Sequence, residues 1–202
     1  MTSWLHEQRL QAVLDAVGDC NPGTVLDLGC GDGDLLVRLA TWPTVKAIVG
    51  IDLSAPSLRQ LRARMAALED RITASVDLIH GSLTENCRSL TGFDCAVLVE
   101  TIEHIDPGRL AVVEQAVFGE MRPGRVVITT PNAEFNPVLG VPLHRFRHPD
   151  HRFEWGRDRF RRWARGVAGR HGYTGCCSDI AGTHPELGGA SQMAVFDRED
   201  RR

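Results

Sequence analysis

The sequence predicts an α/β domain whose central sheet is mostly parallel. Short apolar runs alternate with helical patterns from residue 24 to residue 131. The first apolar run leads directly into a glycine-rich turn, and the second run ends in an acidic residue. Strands that are separated by helices are joined by right-handed crossovers, which make neighbouring strands parallel.

Five strands and the helices between them follow this alternation. The strand patterns are Thr24–Gly29, Ala47–Leu53, Val76–Ser82, Cys95–Glu100 and Val126–Thr130. The helical patterns, in which apolar residues recur every three or four positions, are Asp34–Thr41, Ala55–Leu68 and Arg109–Met121.

The two ends of the chain add further regular elements. Residues 1–18 predict an N-terminal amphipathic helix, and residues 156–170 and 192–196 predict a helix and a late strand. Residues 132–156 contain three prolines and three histidines without a regular period. Irregular segments of this length in a domain usually have a function. We therefore expect one domain over residues 1–202, with an insertion after the fifth strand.

The composition excludes several classes of protein. At 43% hydrophobic and 24% charged residues, the chain can bury a core without disulfides or metals. No apolar run reaches the roughly 20 residues of a membrane span, and the start lacks the pattern of a secretory signal. The six cysteines form no CxxC pair, which favours reduced thiols. These features predict a cytoplasmic protein that does not enter a membrane.

The charge distribution is uneven. The net charge of −3 by itself predicts no nucleic-acid partner. Between Arg145 and Arg170, however, nine arginines face only three acidic residues. This excess is a candidate anion-binding face, although a solvated helix surface would have the same composition.

The turn between the first strand and the first helix is a candidate ligand site. It reads Asp-Leu-Gly-Cys-Gly-Asp-Gly over residues 27–33, with glycines at Gly29, Gly31 and Gly33. Glycines allow a ligand to approach the backbone, and a helix N-terminus offers free N–H donors. The alternative is that the glycines serve only a tight turn.

Acidic residues around this turn indicate the chemistry of the ligand. Asp27, Asp32 and Asp34 would repel a pyrophosphate but suit a cationic cofactor without phosphate. Asp52 follows Gly33 by nineteen residues and ends the second strand, where a carboxylate accepts hydrogen bonds from a ribose diol. The pattern predicts a cofactor that contains adenosine.

These residues resemble the first motifs of class I S-adenosylmethionine-dependent methyltransferases, in which an acidic residue precedes a GxGxG loop. The resemblance covers residues 24–131 and implies a Rossmann-like fold with a mostly parallel seven-stranded sheet. It also implies S-adenosylmethionine as the cofactor and places Ser82 beside the adenine, although an ordinary loop cap would also explain Ser82. The implied cofactor residues are Asp27, Gly29, Gly31, Gly33, Asp52 and Ser82.

The end of the fourth strand carries the second candidate site. If a helical turn begins at Glu100, the spacing brings Glu100, Glu103 and His104 onto one face. Two carboxylates and an imidazole that converge at one site repel each other unless a cation neutralises them, so this set is a candidate site for manganese, magnesium or cobalt. The alternative is a helix N-terminus whose dipole favours acidic residues.

Three motifs together carry a second and more specific resemblance. ExxEH at residues 100–104, TPN-x-EFN at 130–136 and RHxDHxFEW at 147–155 resemble the small-RNA 3′-terminal ribose 2′-O-methyltransferases of the HEN family. The resemblance extends over nearly the whole chain. It implies metal-dependent methyl transfer from S-adenosylmethionine to the 2′-hydroxyl of the 3′-terminal nucleotide of RNA, in RNA repair or small-RNA end protection.

The resemblance also implies site residues and partners. The metal ligands fall on Glu100, Glu103, His104 and His151, and the metal would be manganese, cobalt or magnesium. The partners would be an RNA 3′ end with free 2′- and 3′-hydroxyls and an RNA kinase, phosphatase or ligase of a repair system. The proton acceptor stays open between a metal-bound hydroxide and the two histidines.

Residues around these ligands have expected roles in RNA binding. RNA phosphates are expected at Arg147, Arg157, Arg161 and Arg162. His144 and His148 are either close to the RNA or structural. Phe146, Phe153 and Trp155 either stack on bases or belong to the core.

Two other functions remain open from the sequence. One is an O-methyltransferase of a small metabolite, in which the histidines serve as general bases. The other is a non-catalytic module that binds cofactor and RNA within a repair complex.

Overall fold

Seven strands form one sheet within residues 4–85 and 87–199, which the computed structural model describes. The strands are β1 (Thr24–Leu28), β2 (Ala47–Asp52), β3 (Ser75–His80), β4 (Cys95–Val99), β5 (Arg125–Pro131), β6 (Tyr173–Ile180) and β7 (Ser191–Arg198). Their order in the sheet is β3-β2-β1-β4-β5-β7-β6. Strands β1 to β5 pair in parallel, whereas β7 is antiparallel to β5 and to β6. The prediction of a mostly parallel sheet is confirmed.

Helices cover both faces of the sheet. They are α1 (Trp4–Gly18), α2 (Asp34–Ala40), α3 (Ala55–Ala66), α4 (Leu110–Glu114, continued as a π-helix over Gln115–Met121) and α5 (Arg157–His171). Short 3₁₀ segments lie at Glu69–Arg71, Cys87–Leu90, Ile102–His104, Pro107–Arg109 and Ala133–Leu139. No described helix is both long and apolar enough to cross a membrane.

Two apolar clusters, one on each face, hold the helices on the sheet. Leu10 of α1, Leu36 of α2 and Leu61 of α3 belong to one cluster. Phe118 of the π-helical segment and Phe160 of α5 belong to the other. Because the hydrophobic effect scales with buried apolar area, these clusters are the main stabilising contribution to the fold.

The connections diverge between β1 and β4, which are neighbours in the sheet. The chain proceeds from β1 to β2 and β3 on one side and from β4 to β5 on the other. In open α/β sheets such a divergence leaves a crevice at the carboxyl ends of the strands, where ligands bind. Both candidate sites predicted from the sequence follow strand ends at this crevice.

The structure differs from the sequence prediction mainly at the end of the chain. Strand β6 has no counterpart among the strand patterns read from the residues, although the resemblance implied seven strands. It lies at the edge of the sheet, with most of its side chains partly or fully exposed. An edge strand of this kind lacks the apolar alternation that reveals a strand in a sequence. The predicted helix over residues 1–18 begins at Trp4, and residues 1–3, 86 and 200–202 of the expected domain lie outside the described residues.

Candidate active site

A cavity of about 1000 Å³ opens at the crevice between β1 and β4. Its wall includes Asp27 of β1, Asp52 of β2 and Ser82 after β3. It also includes Glu100 and His104, which follow β4. The volume lies at the upper end of the roughly 300–1,000 Å³ usual for ligand sites. Residues of both predicted sites therefore surround one cavity.

The glycine loop needs its glycines for two different reasons. Gly29 and Gly33 have φ values of +88° and +85°, and a Cβ at Gly33 would lie 2.2 Å from Leu61 Cδ1. These two glycines are required by the turn itself. A Cβ at Gly31 would instead meet no atom of the described residues within 4 Å, and Gly31 lines the cavity. Gly31 therefore leaves its backbone open to a ligand.

Asp27 is a buried carboxylate without a full set of partners. Only 2% of the residue is exposed, and its Oδ2 has no hydrogen-bond partner among the described residues. Burial raises the pKa of Asp27 to about 7, and the negative charge of Asp52 adds to the effect. An orphaned carboxylate oxygen beside a cavity fits a ligand that brings a positive charge.

Asp52 connects the glycine loop to the start of α3. Its Oδ2 accepts a hydrogen bond from the Gly31 N–H at 2.8 Å, and its Oδ1 accepts one from the Ser54 N–H at 2.7 Å. Each carboxylate oxygen keeps a second lone pair that can accept from a ribose hydroxyl. The Ser82 hydroxyl lies 2.8 Å from Thr84 Oγ1, so Ser82 caps a loop as the alternative expected, and it also lines the cavity.

The prediction that a helical turn begins at Glu100 is wrong. Glu100 has a left-handed φ of +50°, and the turn that follows is a 3₁₀ segment over Ile102–His104. The Glu100 N–H is held by the backbone oxygen and the hydroxyl of Thr129 at 3.2 and 3.1 Å. Because this contact keeps Glu100 attached to β5, the helical turn can start only after it.

Glu100 and Glu103 are held in place by contacts that the sequence motif does not reveal. Arg9 of α1 forms an ion pair with Glu100 Oε2 at 3.2 Å, and the Thr129 hydroxyl donates to Oε1 at 3.1 Å. Glu103 is fully buried, and its Oε2 accepts from the Thr130 hydroxyl at 3.0 Å. Its Oε1 has no partner among the described residues. Burial raises the pKa of Glu103, and the charge of Glu100 raises it further.

Three imidazoles meet beside this pair of carboxylates. One ring nitrogen from each of His104, His148 and His151 lies within 4.8 Å of the others. We call these residues the histidine cluster. His151 follows His104 by 47 positions, yet their ring centroids are 4.8 Å apart. A hydrogen bond of 2.7 Å from the backbone N–H of Arg152 to the backbone carbonyl oxygen of Glu103 fixes the insertion against the 3₁₀ turn. His104 and His151, which the sequence assigns to two distant segments, therefore lie side by side.

The cluster differs from the expected ligand set. It includes His148, which the sequence analysis placed near the RNA or in a structural role, and it does not include the carboxylates of Glu100 and Glu103. Burial and the neighbouring imidazoles lower the pKa of His104. Imidazole nitrogens are donors that suit a divalent transition metal, and Glu103, whose Oε1 has no partner among the described residues, directly precedes His104 in the chain. His144 is exposed and is not part of the cluster.

The arginines that were expected to bind RNA phosphates have partners within the protein. Arg147 is half-buried and donates to the backbone oxygens of Asn132 and Ala190. Arg157 and Arg161 form ion pairs with Asp179, and Arg157 also pairs with Glu134. Arg147, Arg157 and Arg161 are therefore held by residues distant in the sequence, and their expected contacts with RNA phosphates stay a prediction.

Two other arginines lie at the rim of the cavity. Arg109 and Arg152 line it, and their guanidinium groups have no hydrogen bond or ion pair with any residue that the structure describes. Asp106 and Asp150 line the same rim, so its charge is mixed. Arg109 and Arg152 nevertheless remain available for an anion at this cavity.

The aromatic residues of the insertion divide into two groups. Phe153 and Trp155 are buried and stack on each other with ring centroids 4.3 Å apart. They belong to the core, which confirms the alternative for these two residues. Phe146 is 47% exposed and remains a candidate for base stacking.

Several site residues were not identified from the sequence. Arg9 and Glu154 contact predicted ligands, Thr130 bonds to Glu103, and Arg147, which was expected at RNA phosphates, donates its backbone N–H to Glu154. Arg147, Glu154 and Thr130 lie within the motifs quoted above, so their positions were visible. Their roles depend on contacts across the fold, so those roles could not be identified from the sequence.

The chain is similar to known methyltransferases in sequence and in structure. Residues 25–124 match a family described as a methyltransferase domain. The small RNA 2′-O-methyltransferase of Rattus norvegicus is 39% identical over 202 residues, which cover 95% of this chain and 50% of that protein. The methyltransferase domain of bacterial CtHen1 superposes with a TM-score of 0.82 at 34% identity, and the match covers 96% of this chain and 99% of that one.

A further structure is similar in fold alone. It is the Pnkp1/Rnl/Hen1 RNA repair complex, with a TM-score of 0.71 at 18% identity over 96% of this chain and 42% of that one. The chain spans about half the length of the curated relatives it matches. The predicted class I methyltransferase fold is confirmed. The chain matches almost the whole of the CtHen1 domain at 34% identity. It therefore belongs to the Hen1 family of small RNA 2′-O-methyltransferases and corresponds to the methyltransferase domain of that family.

Proposed function

We propose that this chain transfers a methyl group from S-adenosylmethionine to the 2′-hydroxyl of the 3′-terminal nucleotide of RNA, with the help of a divalent metal. The observation that carries the proposal is that His104 of the histidine cluster and Glu100 line the same cavity as the glycine loop and Asp52. A methyl donor and an activated hydroxyl must meet at one point, and this arrangement provides both sites there.

The cofactor would be held by Asp27, the glycine loop, Asp52 and Ser82. Asp27 would balance the positive charge of its methionine part, and Asp52 would accept hydrogen bonds from its ribose. When bound, the cofactor supplies a sulfonium methyl group. Leu10 and His6 of α1 also line the cavity, so α1 covers part of it and reduces access of water.

The metal would be held by His104 and His151 together with Glu103 and Glu100, and His148 is close enough to contribute. A divalent cation held by these residues would supply a positive charge that lowers the pKa of a ribose hydroxyl. The mixed nitrogen and oxygen donors favour manganese or cobalt over magnesium. Arg9 and Thr129 would keep Glu100 oriented, and Thr130 would do the same for Glu103.

The biological setting is part of the proposal. A related fold occurs in the Pnkp1/Rnl/Hen1 RNA repair complex, so an RNA repair protein is a candidate partner. Small-RNA end protection is the other setting that we propose, since the relatives are named small RNA 2′-O-methyltransferases. Five described cysteines are free thiols, which is compatible with a cytoplasmic location.

The proposed activity is tested by incubating the protein with labelled S-adenosylmethionine and short RNAs, with and without manganese. We expect label on RNA that ends in free 2′- and 3′-hydroxyls. We expect none on RNA with a 2′-deoxy or a 3′-phosphate end, since these lack the acceptor or block the neighbouring oxygen. Equal labelling of the three RNAs, or undiminished labelling after removal of metal by a chelator, would contradict the proposal.

The cavity rim, and not α5, is expected to bind RNA phosphates. Replacing both Arg109 and Arg152 by alanine should raise the KM for RNA and reduce the slope of log affinity against log salt by about one for each arginine. The matched control is the double replacement of Arg161 and Arg162 in α5, which removes the same charge elsewhere. A larger change of the salt slope in the α5 variant than in the rim variant would reverse this assignment. RNA affinity by fluorescence anisotropy at several salt concentrations provides the measurement.

A further inference from the structure

Glu154 lies directly behind the histidine cluster. Its side chain is 1% exposed, and its Oε1 lies 2.6 Å from the Nδ1 of His151, which is 7% exposed. An imidazole nitrogen that contacts a carboxylate oxygen at this distance carries a proton and donates it. The other nitrogen, Nε2, is then left with a lone pair.

The carboxylate of Glu154 is itself held by two further donors. The Arg147 N–H donates to Oε1 at 2.7 Å, and the Asn136 side-chain amide donates to Oε2 at 2.6 Å. Both donors belong to the insertion, and Asn136 lies in its 3₁₀ segment Ala133–Leu139. Because both oxygens of the carboxylate are held in this way, it cannot follow a movement of the imidazole. Glu154 therefore offers a fixed acceptor and not an adaptable one.

His148 is a histidine of the same cluster whose Nδ1 has no carboxylate acceptor within hydrogen-bond distance among the described residues. Its Nδ1 accepts a hydrogen bond from the Asp150 N–H at 3.2 Å, and the Asp150 carboxylate is 3.8 Å away. The His148 side chain is 53% exposed. The two histidines of the motif thus have opposite arrangements at Nδ1: His151 donates and His148 accepts.

We infer that Glu154 is a positioning residue, which keeps the proton of His151 on Nδ1 and thereby makes Nε2 the nitrogen that binds the metal. This inference rests on the metal site of the proposed function. Carboxylates behind a ligating histidine fix its ring orientation and increase its basicity, and their loss typically lowers metal affinity by about 10- to 100-fold. Glu154 does not itself touch the substrate or the metal.

The test uses two variants and a matched control. E154A removes the acceptor, whereas E154Q keeps one acceptor oxygen for the His151 Nδ1–H and tests whether folding alone explains the result. E134Q is the control, because Glu134 lies in the same insertion and pairs with Arg157 without touching an imidazole. The first measurement is the tautomer of His151 in the metal-free protein, by long-range ¹H–¹⁵N NMR correlation of the imidazole nitrogens. The second is the affinity for manganese and cobalt, by calorimetry.

We expect the Nδ1–H tautomer in the wild type, in E154Q and in E134Q, and a mixture dominated by Nε2–H in E154A. Metal affinity should fall about 10- to 100-fold in E154A, fall less in E154Q and stay unchanged in E134Q. An unchanged tautomer in folded E154A, or an Nε2–H tautomer in the wild type, would overturn the inference. The tautomer is measured without metal, so it decides the role of Glu154 even if the wild type binds no metal. Failure of the wild type to bind metal would count only against the proposed metal site.

Discussion

Replacement of His151 by alanine is expected to reduce methyl transfer to RNA by about 100-fold or more, while the affinity for the cofactor changes less than about twofold. Metal assistance is worth several kcal/mol at the transition state, and about 1.4 kcal/mol corresponds to a factor of ten in rate. His151 lies in the histidine cluster but does not line the cofactor cavity. Its loss should therefore affect the nucleophile and not donor binding.

His144 provides the control for this variant. It lies in the same insertion, is exposed and is not part of the cluster. H144A should keep the turnover of the wild type at limiting manganese. Turnover is measured with labelled donor and RNA, and donor affinity by calorimetry with S-adenosylhomocysteine. Wild-type turnover in H151A at limiting manganese would refute the proposed metal site.

Asp27 is expected to make cofactor binding depend on pH. Its pKa in the cofactor-free protein is raised to about 7, so the carboxyl group is largely protonated at pH 6 and ionised at pH 8. A cationic cofactor binds the ionised form, and its affinity should therefore rise roughly tenfold or more from about pH 5.5 to about pH 7.5. Calorimetry with S-adenosylmethionine across this range measures the effect.

Asp27→Asn should weaken cofactor binding by about 10- to 100-fold at neutral pH, since bonds between charged groups contribute about 1.5–3 kcal/mol. It should also remove most of the pH dependence. Asp77→Asn is the control, because Asp77 is exposed on β3 and does not line the cavity. If D27N retains the pH dependence of the wild type, another group is responsible for it.

The same shift has a consequence for stability without cofactor. A carboxyl group whose pKa is higher in the folded than in the unfolded state binds more protons when folded, so its contribution to stability falls as pH rises between the two values. For Asp27 these values are 3.8 and about 7. In D27N, the decrease in unfolding free energy over this interval should be smaller than in the wild type.

The sequence by itself determined where the first five strands lie along the chain, the glycine loop and the position of Asp52. These features depend on local patterns: apolar runs of strand length, glycines where the turn requires positive φ, and an acidic residue at a strand end. The motif around Glu100 and the histidines of the insertion also identified the segments of the second site. Local patterns do not depend on the rest of the fold, which is why they could be read directly.

Only the tertiary structure decided how those segments are used. The left-handed conformation of Glu100 follows from its bonds to Thr129 on the neighbouring strand, so a helical spacing rule could not predict it. Arg157 and Arg161 of α5 pair with Asp179, and Arg157 also pairs with Glu134, which are both separated from them in the sequence. His148 joins the cluster, and Glu154 supports His151, because the insertion folds back onto the 3₁₀ turn after β4. Pairing, burial and side-chain orientation are set by residues brought together from distant parts of the chain, and a linear pattern carries no record of those contacts.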